Sequence, residues 1–250
     1  MKQFYEGRKT DLDYIDERLR VIVKLAEQLR PKQILDLACG RGLLMELLRE
    51  RMPSTRIVGA DISVTSLNQA SAKGFEVAQA DVSQELPFAT GSFDCVIFGE
   101  TIEHLIDPDF ALEEISRVLP LHGTLILTTP NLASWFNRLL LLFGVQPIFT
   151  ETSTRTTLGR KTQLLGQWNP VQGHLKIFTL SALLEMLSAN GFSVAHLCGA
   201  PFNWPTRLAP LDKALTRFPS LASNLVIVAT NSAQKKAVYP FAKQTPFEKC

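Results

Sequence analysis

The chain has 250 residues, with 26 Lys plus Arg against 24 Asp plus Glu, a formal net charge of +2. Hydrophobic residues make up 46% and charged residues 20%, the balance of a globular chain that can bury a large core, which excludes the disordered, collagen-like and membrane-bundle classes. Basic and acidic residues are interspersed instead of gathered into one stripe, so no nucleic-acid partner is expected. Cys39, Cys95, Cys198 and Cys250 are far apart and form no CxxC pair, which points to reduced thiols. The N-terminal stretch MKQFYEGRKTDLDYIDERLR lacks an apolar h-region, so the reading expects no signal peptide and a cytoplasmic protein. The apolar run at residues 139–145 is far shorter than the roughly 20 residues of a membrane span.

Leu12, Ile15, Leu19, Ile22, Val23, Ala26 and Leu29 recur at helical spacing and predict an amphipathic helix over residues 12–30, stopped by Pro31. QILDLAC then reads as a buried strand, GLLMELLRERM as a helix, TRIVGADI as a strand, and VTSLNQASAKG as a helix closed by Gly74. FEVAQAD, FDCVIFG and GTLILTT continue as strands, with DFALEEISRVL as a helix between the last two. Apolar strands alternating with helices predict a parallel sheet covered on both faces, because parallel pairing needs crossovers of helix length. The alternation lapses over residues 131–176, where residues 132–143 look helical and apolar while TETSTRTTLGRKTQ is polar and Thr-rich. An interruption of that length is expected to be functional, and its polar half to be mobile. The pattern resumes with a helix over residues 180–190, ended by Gly191, and the strands FSVAHLC and LVIVAT. The last two strands, joined by a polar, Pro-rich excursion, are expected to pair antiparallel at a sheet edge. One domain over residues 1–232 and a flexible tail over residues 233–250 complete the expected organisation.

The first strand-to-helix junction reads Asp36-Leu37-Ala38-Cys39-Gly40-Arg41-Gly42. Small residues there let the backbone turn sharply and approach a ligand where a Cβ would collide. Asp61 closes the second strand and can accept hydrogen bonds from ribose hydroxyls, and Asp81 closes the third. A dinucleotide oxidoreductase shares these features, but Met45 stands where its third glycine is needed, so a cofactor without a pyrophosphate fits better.

DLACGRG, VGADIS, AQADVSQELPF, GSFDCVIFGETIEHLIDP and RVLPLHGTLILTTPN resemble the successive motifs of class I S-adenosylmethionine-dependent methyltransferases. The resemblance implies a Rossmann-like α/β fold with seven strands in the order 3-2-1-4-5-7-6, the seventh antiparallel. It further implies that S-adenosylmethionine is the cofactor, bound by Asp36, Ala38, Gly40 and Gly42 at the methionine part, Asp61 and Ile62 at the ribose, and Asp81 and Val82 at the adenine. Gly99, with Glu100, would lie beside the sulfonium methyl.

Glu100-Thr101-Ile102-Glu103-His104, with His174 far downstream, gathers two carboxylates and two imidazoles. If helical, Glu100, Glu103 and His104 would share one face. Similar spacing occurs in ubiquinone-biosynthesis O-methyltransferases and small-RNA 2′-O-methyltransferases, where the resemblance implies metal-assisted activation of a hydroxyl. Mg²⁺, Mn²⁺ or Zn²⁺ suits such donors. The favoured reading is metal-free, with His104 as general base and Glu103 orienting it. The expected activity is methyl transfer to a small or medium-sized acceptor, first of all to oxygen. The insert resembles that of methyltransferases linked to glycan, lipid or secondary-metabolite pathways, which implies a mobile lid over the acceptor, and its apolar stripe leaves peripheral membrane contact open. A non-catalytic partner subunit of the same fold is the other class kept in view.

Overall fold

The computed structural model describes residues 16–156, 158–159, 171–202 and 207–232. In chain order come α1 (Glu17–Leu29), β1 (Gln33–Leu37), α2 (Leu43–Arg51), β2 (Arg56–Asp61), α3 (Val64–Ala72) and β3 (Glu76–Gln79). Next are β4 (Cys95–Gly99), a 3-10 turn (Ile102–His104), α4 (Pro108–Val118), β5 (Thr124–Pro130) and α5 (Trp135–Leu142). The described elements close with α6 (Leu180–Ala189), β6 (Phe192–Ala200), α7 (Ala209–Leu215) and β7 (Asn224–Asn231).

The strands form one sheet in the order β3-β2-β1-β4-β5-β7-β6. The first five pair in parallel, while β7 lies antiparallel between β5 and β6. The order and the reversed seventh strand are those the sequence motifs imply. Side chains along each strand alternate between two cores, as a period of two requires. Leu35, Leu37, Val96, Phe98, Leu125 and Leu127 face one, which α4 covers with Leu112, Ile115 and Val118 and α6 with Leu183 and Leu187. Ile34, Cys95, Ile97 and Ile126 face the other, covered by Ile22 and Ala26 of α1, Met45 and Leu48 of α2 and Leu67 of α3. With both faces buried, the central strands read as unbroken apolar runs, and all ligand chemistry is left to the loops at the strand ends.

Helix starts follow local capping. Asp16 accepts from Leu19 N at 2.9 Å, so α1 begins at Glu17, and the part of the longer predicted helix before residue 16 lies outside the described residues. Asp107 accepts from Phe110 N at 3.1 Å with Pro108 in the first turn of α4, which fixes the turn after His104. The polar, Pro-rich excursion between β6 and β7 contains α7, which the sequence reading did not predict. Of the insert, Phe136, Ile148 and Phe149 pack into a small third core, supported by Trp135 and Leu140. Residues 157 and 160–170, which include five of the fourteen residues of the Thr-rich stretch, and the tail over residues 233–250 lie outside the described residues. Among the described residues, no helix is long and apolar enough to cross a membrane.

Candidate functional site

The loop after β1 curls through three left-handed residues, Ala38 (φ 67°), Gly40 (φ 53°) and Gly42 (φ 78°). Ala38 N and Cys39 N both donate to Ala60 O, at 2.7 and 3.0 Å, which seats the loop on the end of β2. A Cβ on Gly40 would meet no atom within 4 Å, so that side of the loop is open to a ligand, whereas one on Gly42 would stand 3.2 Å from Ala70 Cβ of α3. Gly42 is therefore fixed by helix packing and by its φ, and Gly40 by its φ beside open space.

Asp61 is held at the mouth of this loop. Its Oδ2 accepts from Gly40 N at 2.9 Å and its Oδ1 from Ser63 N at 2.8 Å, two backbone donors that fix the carboxylate and leave further lone pairs for hydroxyl groups. Ile62 follows it, half-buried. At the end of β3, the Asp81 Oδ1 accepts from Ser83 N at 2.9 Å, with Val82 half-buried beside it. Gly99 ends β4, and a Cβ there would stand 3.3 Å from Thr128 Oγ1. Asp36 is 4% exposed, and its Oδ2 has no hydrogen-bond partner. Burial first, and the Asp61 charge second, push its carboxyl up to about 7. These residues lie along neighbouring strand ends and fit a nucleoside cofactor: an open glycine turn, a preset ribose carboxylate and a further acid at β3.

Burial raises the Cys39 thiol far above its ordinary range, with Asp36 and Asp61 adding to the effect, so the cysteine in the loop is no nucleophile at neutral pH. Cys95 is pushed up to about 12, mainly by burial.

Beyond Gly99 the chain does not form the longer helix that would align Glu100, Glu103 and His104. The 3-10 turn spans Ile102–His104, and Glu100 precedes it with φ 49°, a left-handed conformation unusual for Glu. Its Oε1 sits 2.9 Å from Arg18 Nη1 and accepts from Thr128 Oγ1 at 3.1 Å. Glu103, His104 and His174 do converge: one ligand atom from each lies within 4.8 Å of the others. The Glu103 side chain is fully buried; Oε2 accepts from Thr129 Oγ1 at 2.9 Å, and Oε1 has no hydrogen-bond partner. Desolvation pushes this carboxyl up to about 7, against the pull of its hydrogen bonds and of Arg18.

Both imidazoles are oriented through Nδ1. His104 Nδ1 lies 3.1 Å from Gly173 O, and His174 Nδ1 lies 2.8 Å from Phe149 O. A carbonyl only accepts, so Nδ1 carries the proton in each ring, and in the neutral imidazole Nε2 is the acceptor nitrogen. The ring centroids are 4.8 Å apart. A buried carboxylate oxygen lacking a donor, beside two rings fixed in this tautomer, fits a divalent cation as well as it fits a proton relay.

Two residues of the site were not singled out from the sequence. Glu151 accepts from the backbone N–H groups of Gln172, Gly173 and His174 at 2.5, 2.8 and 3.2 Å, which carries His174 to the cluster. It is the lone acid between residues 131 and 176, and that isolation is the signal that marks it. Arg18 lies in the apolar stripe of α1, three residues after Ile15 and four before Ile22, and is 11% exposed at the side chain. A cation in a core-facing register announces an acidic partner close by.

A seven-stranded sheet with a reversed seventh strand, a glycine turn after β1 and acids at the ends of β2 and β3 define a methyltransferase-type nucleoside site. The sequence pattern of the family described as "Methyltransferase domain" matches residues 8–197, and the chain belongs to that family. It is 41% identical over 113 residues to a demethylmenaquinone methyltransferase of Thermus thermophilus, covering 43% of this chain and 51% of that protein. The chain therefore spans about half the length of that relative. Over 218 residues it is 27% identical to a ubiquinone biosynthesis O-methyltransferase of Rhizobium leguminosarum bv. trifolii, covering 84% of this chain and 76% of the relative. The solved structure of an S-adenosylmethionine dependent methyltransferase from Mesorhizobium loti superposes with a TM-score of 0.55 at 19% identity, covering 85% of this chain and 99% of that one. The family match sets the dinucleotide oxidoreductase aside.

Proposed function

We propose that the protein transfers the methyl group of S-adenosylmethionine to the hydroxyl oxygen of a small or medium-sized acceptor. The observation that carries this reading is the convergence of Glu103, His104 and His174 just beyond Gly99, on the side of the sheet that holds the glycine turn and Asp61. That a relative over most of the chain is named an O-methyltransferase supports oxygen as the acceptor atom. The cofactor brings an already activated methyl group. What remains for the protein is to hold the acceptor in line, exclude water and take the acceptor proton. The glycine turn with Asp36 holds the methionine end, Asp61 and Ile62 the ribose, and Asp81 and Val82 the base. Glu100 and Gly99 shape the wall at the transferring carbon. His104, with its proton on Nδ1, receives the hydroxyl proton on Nε2, and Glu103 stabilises the resulting imidazolium.

A second use of the same cluster is favoured by one specific observation, the convergence of Glu103, whose Oε1 has no hydrogen-bond partner, with two tautomer-fixed imidazoles. Glu103, His104 and His174 would then hold Mg²⁺, Mn²⁺ or Zn²⁺, which when bound lowers the hydroxyl's pKa as a Lewis acid. Mass-detected methyl transfer to a panel of phenols, alcohols and hydroxy acids, with and without EDTA, tests both. Transfer that survives EDTA supports the base, and loss restored by a divalent ion supports the metal. Binding of S-adenosylmethionine without transfer to any hydroxyl acceptor would overturn the reading in favour of a non-catalytic partner or another acceptor atom.

A further inference from the structure

Among the described residues, the segments that carry α5 and α7 join exposed apolar side chains to exposed cations and show no exposed acid. Leu139, Leu141 and Leu142 on α5, and Phe143 at its cap, are 49, 57, 76 and 78% exposed. On the segment bonded to α5, Leu211 of α7 and Phe218 are 47 and 59% exposed. Backbone and side-chain bonds make the two segments one face: Trp135 N donates to Leu221 O at 2.9 Å, Trp135 Nε1 to Asp212 Oδ1 at 2.7 Å, and Arg138 Nη2 to Ser220 O at 3.2 Å. Trp135, Arg138, Leu139 and Leu142 follow the i, i+3, i+4, i+7 spacing of one helix stripe, so the exposed leucines continue the edge that Trp135 turns toward α7.

The charges on this face have one sign. Residues 131–149 contain no Asp or Glu, and over residues 201–222 the single acid is Asp212. Asp212 is 0% exposed and accepts from Trp135 Nε1, Ser223 Oγ and Phe202 N, so it does not reach the surface. Arg138, Arg207, Lys213 and Arg217 are all exposed. Single exposed leucines are ordinary, but a cluster rimmed by cations marks an interaction surface. A second copy of the same face is a poor occupant, because a two-fold contact would set cation against cation with no acid to relieve it. Apolar side chains that enter acyl chains, with cations at the level of lipid phosphates, match a negatively charged bilayer surface.

We propose that this face docks the protein peripherally on an anionic lipid surface. The neighbouring aromatic core connects the face to the acceptor cluster: Phe149 lies 6.4 Å from Phe136 of α5 and 6.0 Å from the His174 ring, centroid to centroid. A docked protein thus presents the acceptor side of the sheet close to the bilayer.

Co-sedimentation of the full chain with vesicles tests the proposal, comparing pure phosphatidylcholine with an equimolar mixture of phosphatidylcholine and phosphatidylglycerol. The wild type is expected to partition onto the mixed vesicles only, and to be released by high salt. Lys213→Glu/Arg217→Glu removes two cations, and Leu142→Ser/Phe143→Ser removes two apolar contacts; each is expected to lower partitioning by roughly tenfold or more. All four positions are exposed, so an unchanged melting temperature separates lost docking from lost folding. Absence of wild-type binding to mixed vesicles, or undiminished binding of both double variants, would overturn the proposal. So would a wild-type dimer in sedimentation velocity that Leu142→Ser/Phe143→Ser dissolves, since the face would then be a self-interface.

Discussion

Arg18 Nη1, on the first helix, stands 2.9 Å from Glu100 Oε1, at the residue that follows β4. The same guanidinium reaches Asp16 at 3.2 Å, so the helix cap and the strand end share one cation. Glu100 carries a left-handed φ of 49°, a conformation that costs roughly 1–3 kcal/mol and persists only when its surroundings hold it. The ion pair and the hydroxyl of Thr128 are those surroundings. Helix α1 therefore sets the geometry of the wall beside the expected methyl.

For that reason Arg18→Ala is expected to change function more than stability. The Glu100 carboxyl is 31% exposed at the side chain, so the pair itself is expected to couple by about 1 kcal/mol in a double-mutant cycle of denaturation. Methyl transfer should fall roughly tenfold, the scale on which about 1.4 kcal/mol of misplacement appears in a rate. A cycle of Arg18→Ala and Glu100→Gln read by both denaturation and turnover checks this; equal turnover in wild type and Arg18→Ala would refute it.

Asp61→Ala is expected to weaken S-adenosylmethionine binding by about 1–3 kcal/mol, since it removes charge-assisted hydrogen bonds to hydroxyls. It also strips Gly40 N and Ser63 N of their acceptor, which loosens the turn that the cofactor meets. Calorimetry with S-adenosylmethionine reads the loss, and a variant that binds as well as wild type would remove Asp61 from the site.

Asp36 predicts a pH dependence of stability. Its carboxyl titrates near 3.8 in the unfolded chain and is pushed up to about 7 by burial in the folded one. Between those values the folded state holds a proton that the unfolded state has released, so stability falls as pH rises from about 4 to about 7, and the full penalty persists above that. Asn mimics the protonated form. Asp36→Asn should therefore melt higher than wild type at about pH 8 and nearly together with it at about pH 4, as scanning calorimetry across that range will show. A constant difference between the two proteins at all pH values would mean that the buried carboxyl is not the source.

The sheet was legible because its signals are local and repeated. Apolar strands, Gly and Pro punctuation and acids at strand ends each occur where the parallel α/β pattern puts them, and β7 could be placed antiparallel by resemblance. The candidate cofactor residues stand out in the sequence for the same reason, since Asp36, Gly40, Gly42 and Asp61 fall at or just after consecutive strand ends. What could not be read was set by tertiary pairing. Glu100 leaves the expected helical face because Arg18, some eighty residues earlier, and Thr128 hold its carboxylate. Glu151 captures three backbone N–H groups some twenty residues away, a contact that no periodicity encodes. The helix α7 was hidden by Pro210 and by an inward Asp212, whose burial is satisfied by Trp135, Ser223 and Phe202.

That capture by Glu151 makes His174 separable from His104. His174 is brought to the cluster by the backbone clamp and by its own Nδ1 bond to Phe149 O, whereas His104 belongs to the 3-10 turn that follows β4. If the cluster works as a proton relay, His104→Ala should lose roughly 10²- to 10⁴-fold in rate with cofactor affinity unchanged, the usual scale of general-base catalysis. His174→Ala should then mainly raise KM, because the Gly173 carbonyl that orients His104 stays in place, whereas Glu151→Gln loosens that same backbone and should lower kcat as well. If the cluster holds a divalent ion, all three donors matter together, and His174→Ala should match His104→Ala in kcat while Glu103→Gln abolishes metal retention in atomic-emission analysis. The split between kcat and KM for His174→Ala, measured beside the metal content of the purified protein, therefore decides which chemistry the three side chains perform.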